Sequence, residues 1–303
     1  MAPAPELNFE NPLNFGGLPE ENSTFAAAAL VILPIPLEQT TSYRGGTKEG
    51  PSAILAASRY MELVDPETGD VPADRGIHTM AALEPRASGP SESLDEVYRA
   101  AAWVLSEGKA LGSLGGEHSL TYPLVAAHHE VYPNLSVLQL DAHGDLRLAY
   151  QGSRFSHASV MRRIVDDGIP TVGLGIRSLC EEEWGLVREK GLKRYSGRDV
   201  ARRRVSLEEM LAPLTSEVYL TLDLDGFDPS ECPGVGTPEP GGFSWFDFLD
   251  ILDALKGRRI VGFDVVELLP LPGQAASDFL AAKAVYKLAG AVLAHRPAGG
   301  GRK

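Results

Sequence analysis

The stretch LSVLQLDAHGDLR, residues 135–147, turns from apolar to polar at its midpoint. Its first half reads as a buried strand. Its second half sets Asp141, His143 and Asp145 at alternate positions, three side chains of kinds that hold metal ions. An isolated D-x-H-x-D fits a solvated loop after a strand as well as it fits a ligand cluster. The surrounding chain has to separate the two.

Outward from this point, short apolar runs alternate with helical patterns. The strand candidates are 29–35 (ALVILPI), 110–116 (ALGSLGG), 135–141 (LSVLQLD), 171–176 (TVGLGI), 218–225 (VYLTLDLD) and 260–267 (IVGFDVVE). Residues 93–109 and 244–257 carry apolar side chains at helical spacing, with Ser93 and Ser244 read as N-caps and Gly257 as a stop. TYPLVAAHHEVY reads as another helix, with His128 and His129 on a partly solvated face. The alternation predicts a single α/β domain with three α/β/α layers and a mainly parallel sheet. Residues 1–25 read as a meandering lead-in, 26–296 as the domain proper, 297–303 as a frayed tail and 86–93 (RASGPSES) as a surface loop.

Four of these strands end in residues of the catalytic kind. One ends at Gly115-Gly116-Glu117-His118, the next at Asp141, His143 and Asp145, another at Asp223 and Asp225, and the last at Glu267. In open α/β sheets ligands bind beyond the carboxyl ends of the strands. The four polar termini therefore aim at one crevice, which lifts the 141–145 trio above a solvated loop.

Composition narrows the partners. The chain has 303 residues, 44% of them hydrophobic and 23% charged, ordinary for a globular protein with a sizeable core. The longest apolar stretch is cut by Pro34 and Pro36, so no membrane span is expected. The N-terminal residues lack a basic-then-apolar pattern, and Cys180 and Cys232 are the only cysteines, which together suggest a reducing cytoplasm. A net charge of -13 disfavours nucleic acid and suits a cationic small molecule.

Four aspartates and two histidines brought together repel unless a cation joins them. Six donors exceed a closed tetrahedral zinc site, and no Cys contributes. Oxygen and imidazole donors with shared carboxylates suit two octahedral first-row ions, Mn being the natural choice. Such a pair activates water for hydrolysis.

Together the motifs resemble the ureohydrolases, the family of arginase and agmatinase, most closely the bacterial and archaeal agmatinases. The resemblance runs in order through TTSYRGGTKEGPSAIL (40–55), GGEHS (115–119), DAHGD (141–145), SHAS (156–159), LDLDGFDP (222–229), PGVGTPEPGG (233–242) and DVVELLP (264–270). It implies an arginase/deacetylase-like fold and two Mn(II) per chain. One ion would be held by His118, Asp141, Asp145 and Asp223, the other by His143, Asp141, Asp223 and Asp225. A hydroxide between them would attack the guanidinium carbon, giving urea and an amine. By the same resemblance, Asp145 would pass a proton to the departing amine, Glu267 would pair with the guanidinium, and His157 would shuttle a proton or touch the substrate. Relatives imply a homo-oligomer, trimer or hexamer.

Departures from the family pattern bear on the substrate. Glu117 replaces a more usual Asp, and Ala158 stands where many members have Gly. Gly115 and Gly116 read as letting the backbone turn close to the metal, Asp228 as bracing its loop, and Cys232 as a small buried filler. The loop LRLAYQGSRF (146–155) lacks the Thr-Ser-Gly-Asn stretch with which arginase reads a carboxylate, so agmatine, giving putrescine and urea, is expected ahead of arginine. Aminopropylagmatine is an alternative. Guanidinobutyrate or formiminoglutamate becomes one if Arg154 faces the substrate tail. A non-catalytic metal-bound scaffold would not need Glu267 and His157, and a one-zinc deacetylase would lack His118.

Overall fold

The computed structural model describes residues 12–295. Eight strands form one sheet: β1 (Leu30–Ile35), β2 (Ile77–Thr79), β3 (Ala110–Gly115), β4 (Leu135–Leu140), β5 (Thr171–Gly175), β6 (Lys193–Ser196), β7 (Glu217–Asp223) and β8 (Arg259–Val266). Their order is β2-β1-β3-β8-β7-β4-β5-β6, with every neighbouring pair parallel. Six of these are the strands expected from the sequence. The two unexpected ones, β2 and β6, are three and four residues long, lie at the edges and are only partly buried, too short for a periodic signal.

The strands that end in polar residues are neighbours at the centre, in the order β3-β8-β7-β4. After β3 the chain skips two places to lay down β4, and β7 and β8 return later to fill the gap. Winding reverses there, and a reversal opens a crevice beyond the carboxyl ends of the strands.

Helices cover both faces because their apolar residues recur three and four apart. On one face Ala281, Val285, Leu288 and Val292 of the helix Ala276–Leu293 join Phe248, Ile251 and Ile54 over the sheet. On the other, Leu94, Val97, Ala101 and Val104 of Pro90–Ser106 join Leu124 and Ile164. The expected three layers are present, and the sheet is wholly parallel among the described residues.

Local signals held in part. Ser244 caps Trp245–Ala254 in a reciprocal arrangement with Asp247, worth about 1 kcal/mol. That helix ends at Ala254, ahead of Gly257, which takes φ +97° in the following turn. Ser93 is no cap. Pro90, following Gly89 at φ 140°, starts the helix three residues earlier, and the Ser93 hydroxyl donates to the Gly89 carbonyl inside the first turn. The expected loop at 86–93 is shortened accordingly.

The expected frayed tail, 297–303, and residues 1–11 of the lead-in lie outside the described residues. From residue 12 onward the lead-in is packed: Phe15 and Leu18 are buried, and the Phe15 amide donates to Thr79 Oγ1 at 2.9 Å. His128 is not on a solvated face; it is fully buried on Thr121–Val131 against Tyr219. Among the described residues no helix is long and apolar enough to cross a membrane.

Candidate active site

Each polar terminus becomes a short turn that carries its side chain into the crevice. His118 opens a turn directly after β3, and Asp141 is the first residue beyond β4. Asp223 closes β7. Asp225 does not share the strand with it, as alternate spacing suggested, but lies in the turn Leu224–Gly226, whose amide at 225 donates to Asp223 Oδ1 at 2.9 Å. Asp145 and Glu267 take left-handed backbone, φ +53° and +64°. Such strain in a residue with a side chain gathers at functional sites. Gly116 is required by a neighbour other than a metal: a Cβ there would lie 2.1 Å from the Leu37 carbonyl oxygen.

The six side chains expected as ligands meet. Their donor atoms form two compact groups, His118–Asp141–Asp145 and Asp141–His143–Asp225, with Asp141 common to both. His118 Nδ1 lies 3.0 Å from Asp145, 3.2 Å from Asp141 and 3.4 Å from Asp223. His143 Nδ1 lies 2.9 Å from Asp225 and 3.8 Å from Asp141. Asp223 therefore stands beside the first group and belongs to neither compact trio.

His118 Nδ1 is buried without a hydrogen-bond partner, although three carboxylates surround it. Burial disfavours the charged imidazolium, but those carboxylates outweigh it and hold the His118 pKa well above 6.5. Burial, with Asp141 nearby, pushes Asp145 up to about 7, and burial pushes Glu267 up to about 8. Charges held this far from their ordinary values suit oxygen and imidazole donors built around divalent cations. The residues fit two such ions.

Residues that the motifs did not single out hold the ligands in place. Gln139 Nε2 donates to Asp141 at 2.8 Å and to the His143 carbonyl at 3.1 Å. The Arg177 guanidinium donates to the carbonyls of Gly175, Asp225, Gly226, Phe227, Glu239 and Pro240, tying the Asp225 turn to the loop at 239–240. Glu117 points away from the ligands. Its oxygens take the Gln39 and Thr40 amides and the Thr40 and Ser119 hydroxyls, and Thr40 in turn accepts the His157 amide. The longer carboxylate thus anchors the 39–42 segment under His157. Among these, Gln139, a polar residue within the apolar run of β4, was the signal available in the sequence.

His118, His143, Asp145, Asp223 and Asp225 floor a cavity of about 280 Å³, with Asp141 buried behind them, and its wall includes Glu267, His157, Ala158, Tyr150, Arg147 and Arg44. Glu267 accepts the His118 amide at 2.8 Å. The His157 ring meets Tyr150 edge-on, and the Arg147 guanidinium lies over the Tyr150 ring at 5.0 Å. Arg154 is exposed and outside this wall. Cys180, which the sequence reading left unassigned, is on the wall, whereas Cys232 is buried as expected. Asp228 braces its loop, accepting the Ser230, Gly241 and Gly242 amides.

Known proteins resemble this chain in sequence and fold. The arginase family profile matches residues 28–290. The N(1)-aminopropylagmatine ureohydrolase of Synechocystis sp. is 41% identical, over 89% of this chain and 91% of that protein. The agmatinase of Bacillus anthracis is 32% identical, over 83% and 87%. Among solved structures, the agmatine ureohydrolase of Thermoplasma volcanium is 30% identical with a TM-score of 0.78, covering 90% of this chain and 93% of that one. The chain belongs to the arginase family, as a ureohydrolase.

Proposed function

We propose that the enzyme hydrolyses a linear guanidine bearing an aminoalkyl tail, N1-aminopropylagmatine ahead of agmatine, to urea and the corresponding amine. The observation that carries the chemistry is the pair of donor groups joined by the buried Asp141, whose other members line the cavity together with Glu267. The order of substrates differs from the expectation that put agmatine first. It rests on 41% identity to the aminopropylagmatine enzyme against 32% to the agmatinase.

In this reading His118, Asp141, Asp145 and Asp223 hold one Mn(II), and His143, Asp141, Asp223 and Asp225 hold the other. Bound there, the ions supply the Lewis acidity that makes water a nucleophile near neutral pH. Glu267 accepts hydrogen bonds from the guanidinium and holds its carbon over the floor. A cation beside this buried carboxyl stabilises its ionised form, so substrate and Glu267 charge favour each other. Asp145 delivers a proton to the departing amine nitrogen, and His157 exchanges protons between that step and solvent. Tyr150 offers an aromatic face to a cationic tail. The two cysteines suit a cytoplasmic protein, and the family resemblance adds a homo-oligomer, trimer or hexamer, which light scattering would size.

One observation favours a second reading. Arg44 and Arg147 both line the cavity, and two guanidinium groups would favour an anionic tail such as that of guanidinobutyrate. Urea release with Mn(II) supplied decides. The expected order of kcat/KM is aminopropylagmatine, agmatine, then guanidinobutyrate and arginine. Guanidinobutyrate in first place would replace the proposal with the second reading, and no urea from any of the four would remove both.

A further inference from the structure

Asp264 is a fully buried acid in the middle of β8, a position where an unpaired charge costs several kcal/mol. It stands directly across from Thr221 of β7 in the sheet register. Both its oxygens are engaged by hydroxyls: Thr221 Oγ1 donates to Oδ1 at 2.7 Å, and the Tyr219 hydroxyl donates to Oδ2 at 2.8 Å. Thr221 has one proton, and the carboxylate at 2.7 Å takes it ahead of the Thr121 hydroxyl at 3.3 Å. Toward His118 Nε2, 2.8 Å away, the Thr221 oxygen is therefore an acceptor. When the ring gives up its other proton to bind a cation, the one that remains is thereby fixed on Nε2, and the lone pair of Nδ1 faces Asp141 and Asp145.

We propose that Asp264, acting through Thr221 and held by Tyr219, is a positioning residue. It sets the tautomer and orientation of His118 and so the affinity of the ion that His118 holds. The inference rests on the reading of His118 as a metal ligand. A hydrogen-bonded carboxylate behind a ligating histidine makes the ring more basic and removes its rotational freedom. Here a threonine hydroxyl stands between the two. The His143 side chain is 25% exposed against 1% for His118, so the two ions are held by histidines of unequal constraint. The relay acts on one of them.

Calorimetric titration of the metal-free, full-length protein with Mn(II) tests this. Thr221→Val keeps the shape and removes the acceptor; the affinity for one ion is expected to fall about 10- to 100-fold, with the other changed less than about twofold. Thr221→Ser should restore it, and Asp264→Asn should weaken the same ion. Tyr219→Phe removes only a remote hydroxyl and should weaken that ion a few-fold, which keeps the test usable if the valine variant does not fold. Folded Thr221→Val or Tyr219→Phe protein that binds both ions like the wild type, even with a lowered melting temperature, overturns the relay. His118→Ala separates the two levels. If it loses no ion, the ligand reading itself fails; if it loses one while Thr221→Val loses none, only the relay fails.

Discussion

His118 and His128 are 1% and 0% exposed, and yet their protonation is driven in opposite directions. His118 stands in the crevice beyond the strand ends, where three carboxylates overcome burial and raise its pKa well above 6.5. His128 packs against the sheet, its Nδ1–H donating to the Leu124 carbonyl at 2.7 Å and its ring meeting Tyr219 edge-on at 4.8 Å. Among the described residues no acid faces His128, and burial lowers its pKa to about 4. Depth therefore does not decide whether a histidine is charged; the neighbours do. A core histidine is a neutral filler, whereas the one in the crevice sits among charges that call for a cation.

The largest expected effect breaks the crevice side of this comparison. His118→Ala should lower kcat/KM by on the order of 1000-fold, about 4 kcal/mol, together with loss of one bound ion. Steady-state kinetics within tenfold of wild type would contradict it. The next tests the core side. The pKa of His128 is lower in the folded state, about 4, than its ordinary 6.5, so protons bind the unfolded chain more readily. Its contribution is complete above pH 6.5 and is lost as pH falls toward 4, on the order of 3 kcal/mol. Urea unfolding of wild type and His128→Gln between pH 4 and 7 should show a shallower acid slope for the variant; equal slopes would remove the contrast.

A smaller effect sharpens the crevice side. Glu267→Gln should bind both ions and lose about 100-fold in kcat/KM, close to 3 kcal/mol, by removing the partner of the guanidinium. Unchanged kinetics would assign Glu267 a structural role only. The smallest returns to the core. A Cβ at residue 262 would lie 2.1 Å from His128 Nε2, so Gly262→Ala should cost about 2 kcal/mol of unfolding free energy. An unaltered denaturation midpoint would mean that His128 can move aside.

What the sequence revealed follows the same division. The convergence of the six side chains expected as ligands was legible because each sits no more than five residues past a strand end, so a local motif states its position. Asp264, Thr221 and Arg177 act through partners far away in the chain, and no spacing announces a carbonyl or hydroxyl supplied by another segment. His128, rightly taken as structural, was wrongly placed on a partly solvated face because its helix carries a second histidine beside it, and the glycine that makes room for it lies on β8. The order β3-β8-β7-β4 was equally hidden, since the pairing of residues as distant in the chain as Leu111 and Gly262 is a property of packing.

Arg177 grips only main-chain oxygens, six of them, and a main-chain oxygen is the same whatever residue bears it. Sequence drift at 239–240 is therefore invisible to the clamp so long as the path of the chain persists. Mutation can explore the rim without loosening the carboxylates beneath it. A scaffold built this way lets descendants acquire new substrates while the hydrolytic floor is inherited intact.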